Sequence, residues 1–308
     1  MKKVLFIGGT GYIGGPILSR LIEHDDPHVR ITALVRSPEK ATKLKALNVH
    51  VDVVAGSHDD APLVEELAAN ADVIFSLASS DNLPAVESML RGLKKRSTDT
   101  GVKPSLIHLV SCLCDDAQGM FASEKVYNDL DIASIESIPA TQWHRNVDLA
   151  LVAADAEGYV NTYIVLPSAV YGTPRGLLMD AGVQNPANFA WTHLISVAFK
   201  RGAMEIVGEG RNLVTHVDLA ELVDLVVLVY ETAQAGRVGH GREGYYFSSN
   251  GDVAFARIAE VIEARAGPRR VLTQAEVDEH FPGSFLNEFH YWLGANTRGD
   301  AARGRTLG

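Results

Sequence analysis

Three glycines near the beginning of the chain have the spacing of a phosphate-binding turn. Gly8, Gly11 and Gly14 follow the short apolar run 4–7, and a helical apolar pattern follows them. The first glycine permits a tight turn, the second lets a pyrophosphate approach the backbone, and the third lets the helix pack on the strand. The helix N-terminus adds free N–H groups for the pyrophosphate. The pattern therefore predicts a strand, a turn and a helix that bind a dinucleotide. Further contacts are predicted at Thr10, Tyr12 and Ile13.

The end of the second predicted strand, at 29–36, indicates which dinucleotide is bound. An acidic residue at this position would bind the 2′-hydroxyl of NAD. The chain instead has Arg36, followed by Ser37 and Lys40. A guanidinium suits a 2′-phosphate, which a carboxylate would repel. NADP(H) is therefore favoured, while NAD(H) remains possible if Arg36 is only a solvated charge at the strand end.

Small and polar residues follow the third, fourth and fifth predicted strands. Ligands of parallel sheets lie beyond the carboxyl ends of the strands, so we expect these residues to line one crevice. Ser57 and Asp59 stand where an adenine would lie, although Asp59 equally suits the N-cap of the next helix. Ala78 and Ser79 follow the fourth strand, and Ser111 lies at the end of the fifth.

Strand and helix patterns alternate along the first half of the chain. The predicted strands are at 4–7, 29–36, 49–55, 72–77, 105–112 and 159–166, with helices at 62–69, 82–100 and 143–157. Such alternation with short connections is typical of a parallel sheet covered on both faces. The predicted fold class is α/β, a Rossmann-type doubly wound parallel sheet with a smaller C-terminal substrate lobe.

The regular alternation of strands and helices extends to about residue 172, and this divides the chain into two predicted domains. Residues 1–172 are predicted to form the dinucleotide-binding Rossmann domain. Within it, 113–142 is an insertion loop without a periodic run, and long loops of this kind are often functional. Residues 173–308 are predicted to be mainly a substrate-binding lobe, with 210–247 returning to the Rossmann sheet.

The net charge and the cysteine content limit the kinds of partner and metal site that we expect. The net charge of −10 comes from 28 Lys and Arg against 38 Asp and Glu, which argues against nucleic acid or a membrane surface. The only cysteines, Cys112 and Cys114, are separated by a single residue, and neither a disulfide nor a two-thiolate metal site is expected between them. Free thiols suit a reducing compartment, and the cytoplasm is the expected location. No motif with metal-ligand spacing is found in the sequence, and no metal is expected.

By its motifs the chain resembles the extended short-chain dehydrogenase/reductases, the epimerase/dehydratase branch and its atypical NmrA-like relatives. The resemblance is carried by 8–14, 35–38, 167–172 and 216–220. It implies that Pro167, Val170 and Tyr171 lie near the nicotinamide and that a small-molecule substrate binds beneath the C-terminal lobe. It also leaves a homodimer open.

The catalytic signature of that family is missing. The family uses Tyr-x-x-x-Lys, in which the tyrosine is the general acid/base and the lysine lowers its pKa. None of the nine tyrosines of this chain is followed four residues later by lysine. The family's spacing places the pair at Thr141 and Arg145, where the arginine could supply the positive charge. Ser111 matches the family's helper hydroxyl.

His144 is the predicted replacement for the missing tyrosine, because an imidazole titrates near neutrality. Asp148 is four residues later and could orient the ring from the same helical face. Tyr127, Asp129 and Asp131, in the insertion, are alternatives that could also reach the crevice. The alternative is that His144 is a surface residue at the beginning of a helix and that the nearby Asp148 only caps this helix, with no role in catalysis.

Three functions agree with these observations. The first is an atypical NADP(H)-dependent oxidoreductase that reduces a small carbonyl, imine or alkene substrate by hydride transfer. The second is an NmrA-like regulator that senses NADP and has lost catalysis, which the missing pair favours. The third is an epimerase or dehydratase with tightly held NAD, which Arg36 disfavours.

Overall fold

The computed structural model describes residues 1–111, 124–273, 275, 276, 279 and 293–307. Cys112 and Cys114, and with them the expectation about a disulfide or a thiolate site, lie outside the described residues. In chain order the strands are β1 (Lys2–Ile7), β2 (Val29–Val35), β3 (Val51–Ala55), β4 (Val73–Ser76), β5 (Ser105–Leu109), β6 (Tyr127–Asn128), β7 (Asn161–Pro167), β8 (Ala169–Tyr171), β9 (Met204–Val207), β10 (Leu213–Asp218), β11 (Tyr245–Ser248), β12 (Asp252–Ala254), β13 (Arg269–Leu272) and β14 (Gly299–Asp300).

Helices connect most of these strands. In chain order they are α1 (Gly14–His24), α2 (Pro38–Ala46), α3 (Ala61–Ala69), α4 (Leu83–Thr100), α5 (Ile132–Glu136), α6 (Arg145–Ala156), α7 (Leu177–Asp180), α8 (Phe189–Arg201), α9 (Leu219–Gln234) and α10 (Phe255–Ala266). Short 3₁₀ turns occur at Gly241–Glu243 and Gly304–Thr306.

The central sheet confirms the predicted fold class. It has seven strands in the order β3-β2-β1-β4-β5-β7-β11, and every pair is parallel. Both faces are covered, so the strands are apolar throughout instead of alternating with polar residues. In β1, Val4 and Phe6 belong to one core while Leu5 and Ile7 belong to the other. The strand order reverses between β1 and β4, which is where ligands of such sheets bind.

A third core defines the smaller C-terminal lobe. Met204 of β9 packs there with Leu194 of α8 and Phe255 of α10. Within the segment 210–247, β10 joins β8 and β12 in a separate three-stranded sheet, whereas β11 extends the central sheet beside β7. The segment therefore divides between the two parts of the molecule.

The described part of the predicted insertion, 124–142, is more regular than expected and does not serve the crevice. Its strand β6 pairs with β14 near the end of the chain. Asp129 accepts hydrogen bonds from the backbone N–H groups of Phe247 (3.0 Å) and Arg303 (2.7 Å). Asp131 caps α5, and Tyr127 is buried in the β6–β14 pair. The expectation that these three side chains reach the crevice is therefore wrong.

The turn between β1 and α1 is possible only because its glycines have no side chains. Gly8 has φ +97°, and a Cβ there would lie 2.6 Å from the carbonyl carbon of Leu77, just after β4. A Cβ on Gly14 would lie 2.2 Å from the carbonyl oxygen of Gly8. The missing side chains thus let the beginning of α1 lie directly against the carboxyl ends of β1 and β4.

Replacing Gly14 with alanine tests this packing. The new methyl group would overlap the backbone of Gly8, so we expect Gly14→Ala to lower the free energy of unfolding by about 1–3 kcal/mol. Urea titration followed by circular dichroism measures it. The control is Glu87→Ala on the exposed face of α4, for which a change within about 0.5 kcal/mol is expected. Equal midpoints for Gly14→Ala and the wild type would contradict the argument.

Candidate active site

The N-terminus of α1 has the properties of an anion site. Six other helices begin with a side chain that accepts a backbone N–H bond; these caps are Ser37, Asp60, Asn82, Asp131, Asn188 and Asp218. At α1 the N-cap is Ile13, which offers no such bond, and the first turn has no acidic residue. Among the described residues, the amides of Tyr12 and Ile13 donate to no backbone carbonyl. Free N–H groups at an uncapped helix fit a pyrophosphate.

The side chain of Tyr12 has a structural task beside these amides. It is buried, and its hydroxyl donates to the carbonyl oxygen of Gly172 at 2.8 Å. Burial raises the pKa of this phenol to about 12. Only the backbone of Tyr12 is therefore available to a ligand, while its ring fastens the glycine turn to the segment after β8.

The segment after β2 brings one cation, Lys40, to the glycine turn. Arg36 is exposed, and Ser37 caps α2 by accepting from the N–H of Lys40. The ammonium of Lys40 donates to the carbonyl oxygen of Thr10 at 3.3 Å and to Oδ1 of Asn185 at 2.6 Å. Burial lowers the pKa of Lys40. Of the residues predicted at this strand end, Lys40 therefore contacts the turn directly.

The loop after β3 is held by its own polar side chains. Ser57 and Asn82 donate to the carboxylate of Asp59 at 2.9 and 2.7 Å, and these hydrogen bonds lower its pKa. The alternative expectation, that Asp59 caps α3, is wrong because Asp60 accepts from the N–H of Leu63. Asp59 instead joins the ends of β3 and β4.

His144 lies at the junction between the central sheet and the lobe. Its ring is 4 % exposed and stacks on Trp143, which packs against the core of the C-terminal lobe. Nδ1 of His144 lies 2.5 Å from Oδ1 of Asp81, in the loop after β4. Nε2 is buried and, in the part of the chain that the structure describes, has no hydrogen-bond partner. Asp81, which is half-exposed, therefore holds this ring by one nitrogen.

Asp148 does not orient His144, contrary to the expectation from the sequence. His144 precedes α6 and has a left-handed backbone, with φ 67°, so the spacing of a helical face does not apply to it. Asp148 lies instead 3.7 Å from the guanidinium of Arg145. It is fully buried, and burial raises its pKa to about 7 against the opposing charge of Arg145.

Arg145 is a buried cation with two partners at one nitrogen. It is 3 % exposed, and its Nη1 donates to the hydroxyl of Tyr245 on β11 at 2.7 Å. The same Nη1 lies 3.7 Å from Oδ2 of Asp148, so both side chains position the guanidinium at the beginning of α6. Tyr245 was not predicted, because an apolar strand pattern gives no sign that a hydroxyl within it meets a charge.

His108, on β5, is a second residue that the sequence pattern did not reveal. It is fully buried, and Nδ1 lies 3.0 Å from the hydroxyl of Ser76 on β4. Burial lowers its pKa to about 4, with the nearby charge of His144 a smaller cause, so the ring is neutral at pH 7.

Asp81 was not predicted either, although the sequence contains a signal for it. It follows β4, and polar residues beyond the carboxyl ends of neighbouring parallel strands converge.

Loops beyond the carboxyl ends of β1, β4 and β5 carry the remaining predicted residues. A Cβ on Gly8 would lie 2.7 Å from the nitrogen of Ala78, so the glycine turn and the loop after β4 touch. In that loop the hydroxyl of Ser79 accepts from the N–H of Asp81 at 3.4 Å. Ser111, half-buried, lies two residues beyond the end of β5.

The segment after β7 ties the lobe to the sheet. Pro167 is buried at the end of β7. The carbonyl oxygen of Val170 accepts from Asn188 at 3.0 Å and from the indole of Trp191 at 2.9 Å. Tyr171 is 45 % exposed, with its ring edge against His216. This segment, which includes β8, therefore links the end of β7 to the beginning of α8.

The described residues contain neither a cluster of metal ligands nor a membrane-spanning helix. No group of three or more His, Cys, Asp or Glu side chains there could hold a metal ion. None of the helices in the described part of the chain has the length and apolar character needed to cross a membrane.

Comparisons with known proteins agree with this architecture. Residues 1–92 match the model of the NmrA-like family. Over 326 aligned positions the chain is 29 % identical to the oxidase ucsJ of an Acremonium species, covering 98 % of this chain and 90 % of that protein.

Solved structures show the same fold. One is a nucleoside-diphosphate-sugar epimerase from Agrobacterium tumefaciens, with 14 % identity, TM-score 0.62, and coverage of 100 % of this chain and 89 % of that one. Another is UDP-glucuronic acid 4-epimerase from Bacillus cereus in complex with UDP-glucuronic acid and NAD, with 13 % identity, TM-score 0.61, and coverage of 99 % and 92 %. The resemblance to the NmrA-like family is therefore confirmed over residues 1–92, and the solved structures show that the chain has the same fold as these epimerases.

Replacing Asp148 with asparagine tests the burial of its carboxyl group. Because the folded pKa is about 7 and the usual one is 3.8, the folded state binds the extra proton between these values. Wild-type stability should therefore fall as pH rises from about 4 to about 7, by up to about 1.4 kcal/mol per pH unit from this group. Asp148→Asn should lack that component, so its stability relative to the wild type should increase with pH.

Urea unfolding at pH 4.5, 6 and 8 measures the difference between the two proteins. Asp155→Asn, at the other end of α6, serves as a control for the loss of an acidic side chain elsewhere on the same helix. A difference between Asp148→Asn and the wild type that stays constant over this range would contradict the account.

Proposed function

We propose that this protein is an NADP(H)-dependent oxidoreductase that reduces a small carbonyl, imine or alkene substrate by hydride transfer. The observation that carries the proposal is the His144–Asp81 pair beside Arg145, at the beginning of α6. The extended short-chain dehydrogenase/reductases have their Tyr-x-x-x-Lys pair on the corresponding helix. A buried imidazole beside a buried cation at the beginning of this helix supports the proposal.

The glycine turn supports binding of the dinucleotide. The uncapped N-terminus of α1 supplies N–H groups for the pyrophosphate, and the turn lies at the reversal of strand order. Relatives agree with this class of ligand, since one similar structure contains NAD and one similar protein is an oxidase. Arg36 and Lys40 favour the 2′-phosphate of NADP. A nicotinamide dinucleotide, when bound, would donate or accept the hydride.

His144 would supply the proton. Asp81 lies 2.5 Å from Nδ1, which leaves Nε2 as the nitrogen that would deliver the proton. Among the described residues Nε2 has no hydrogen-bond partner. It is therefore suited to protonate a developing alkoxide, amide or carbanion.

Arg145 would supply fixed positive charge beside the proton donor. Tyr245 and Asp148 hold its guanidinium, so little reorganisation is needed when negative charge develops on the substrate. Asp148 is therefore a positioning residue. Ser111, half-buried after β5, would be a helper hydroxyl at the same end of the sheet.

Loss of the imidazole should abolish most of the turnover. We expect His144→Ala to lower kcat at least about tenfold, because the proton donor is removed, while the Kd for NADPH stays unchanged. Asp81→Asn should also lower kcat, because Nδ1 loses its charged acceptor. NADPH oxidation with a panel of aldehydes, ketones, imines and enones measures the rate, and calorimetry measures the Kd.

Thr141→Ala is the matched control, since the family spacing places the catalytic tyrosine there but the residue is exposed. Its turnover should equal that of the wild type. Unchanged turnover in His144→Ala would refute the assignment, and a loss confined to Thr141→Ala would transfer the role to the family position.

A second function, an NADP-sensing regulator without catalysis, is favoured by a separate observation. The NmrA-like family model matches residues 1–92, which include the glycine turn and strands β1 to β4, and the Tyr-x-x-x-Lys pair is missing from the sequence. This function requires a protein partner whose binding changes with the redox state of the coenzyme. Affinity capture with NADP⁺ and with NADPH would test it, and absence of a partner in both states would count against it.

A further inference from the structure

Asn185 lies at the glycine turn although it comes from the segment that leads to the lobe. We propose that Asn185 is a specificity-determining residue of the coenzyme site, which together with Lys40 recognises the 2′-phosphate. The inference rests on the proposed function, because it assumes that an adenosine dinucleotide binds at the turn. Lys40 is predicted in this site from the sequence, whereas Asn185 is not.

The position of Asn185 is fixed by the packing of the residues before it. The N–H of Leu178 donates to the hydroxyl of Ser19 on α1 at 3.1 Å, and Val183 is fully buried in the core on that side of the sheet. Gln184 is 4 % exposed and lies against Gly15, where a Cβ would approach its Oε1 to 2.3 Å. The segment is thus fastened along the first turns of α1 before it reaches the site.

Three distant parts of the chain meet at Asn185. Its backbone N–H donates to the carbonyl oxygen of Thr10 at 3.0 Å. Its Oδ1 accepts from the ammonium of Lys40 at 2.6 Å, and this ammonium also donates to Thr10. With Oδ1 engaged, the two N–H groups of Nδ2 have no acceptor among the described residues.

The charge of Lys40 is left available to an anion. Both of its acceptors are neutral oxygens, and the neighbouring Glu39 pairs with Lys43 at 2.7 Å. Within the described ranges no carboxylate lies within ion-pair distance of Lys40. An ammonium and an amide side by side provide several donors for a phosphate dianion, far more than a ribose hydroxyl can use. The arrangement therefore favours the 2′-phosphorylated coenzyme.

Two nucleotides that differ mainly in the 2′-phosphate isolate this contact. Adenosine 2′,5′-bisphosphate and adenosine 5′-monophosphate are titrated calorimetrically into the wild type and Asn185→Asp. The new carboxylate would pair with Lys40 and repel the phosphate, so we expect the Kd for the bisphosphate to rise at least about tenfold. The Kd for the monophosphate should stay within about twofold. Asn185→Ser, which keeps an acceptor for Lys40 without the charge, should show a smaller loss.

Ala187→Asp is the control, because it places the same charge on an exposed position of the same segment. An equal loss of bisphosphate binding in both aspartate variants, or unchanged binding in Asn185→Asp, would overturn the inference. The two proposals fail differently. If the wild type binds neither nucleotide, both the dinucleotide site and this inference are refuted. If the wild type prefers the bisphosphate and Asn185→Asp prefers it just as strongly, only the role of Asn185 is refuted.

Discussion

The close approach of the glycine turn to the end of β4 is the constraint on which the site depends. Gly8 touches the backbone of Leu77, and Gly14 touches Gly8, so α1 begins directly over the carboxyl ends of the central strands. The uncapped helix N-terminus, the cation of Lys40 and the loop that carries Asp81 are thereby brought to one edge of the sheet. A single added methyl group in this turn would separate these parts.

Buried charged and titratable side chains at the beginning of α6 are the second feature on which the candidate site depends. His144, Arg145 and Asp148 are each at most 4 % exposed. Burying such groups costs desolvation energy that their pairing at best offsets, so these pairs are poor candidates for stabilising the fold. Held in place by Asp81 and Tyr245, they form a preorganised set of charges between the sheet and the lobe.

Local pattern predicted the glycine turn and the central parallel strands, because both are determined by residues that are neighbours in the sequence. The partner of His144 was not predictable in the same way, since Asp81 is 63 residues distant. Asp148 was predicted to share a helical face with His144, and this is wrong because His144 precedes the helix. Its backbone is left-handed, so its side chain does not follow the helical spacing. Asp129 was misplaced because its hydrogen-bond partner Arg303 is separated from it by 174 residues.

The proposal that the glycine turn and the end of β2 bind NADP(H) is tested most sharply by measuring coenzyme binding. NADPH, NADP⁺, NADH and NAD⁺ would each be titrated calorimetrically into the wild type and into Arg36→Asp. The account predicts that the wild type binds NADP(H) more tightly than NAD(H), and that the substituted carboxylate shifts the preference toward NAD(H) by repelling the 2′-phosphate and accepting from the 2′-hydroxyl. Weak or absent binding of all four coenzymes to the wild type would contradict it.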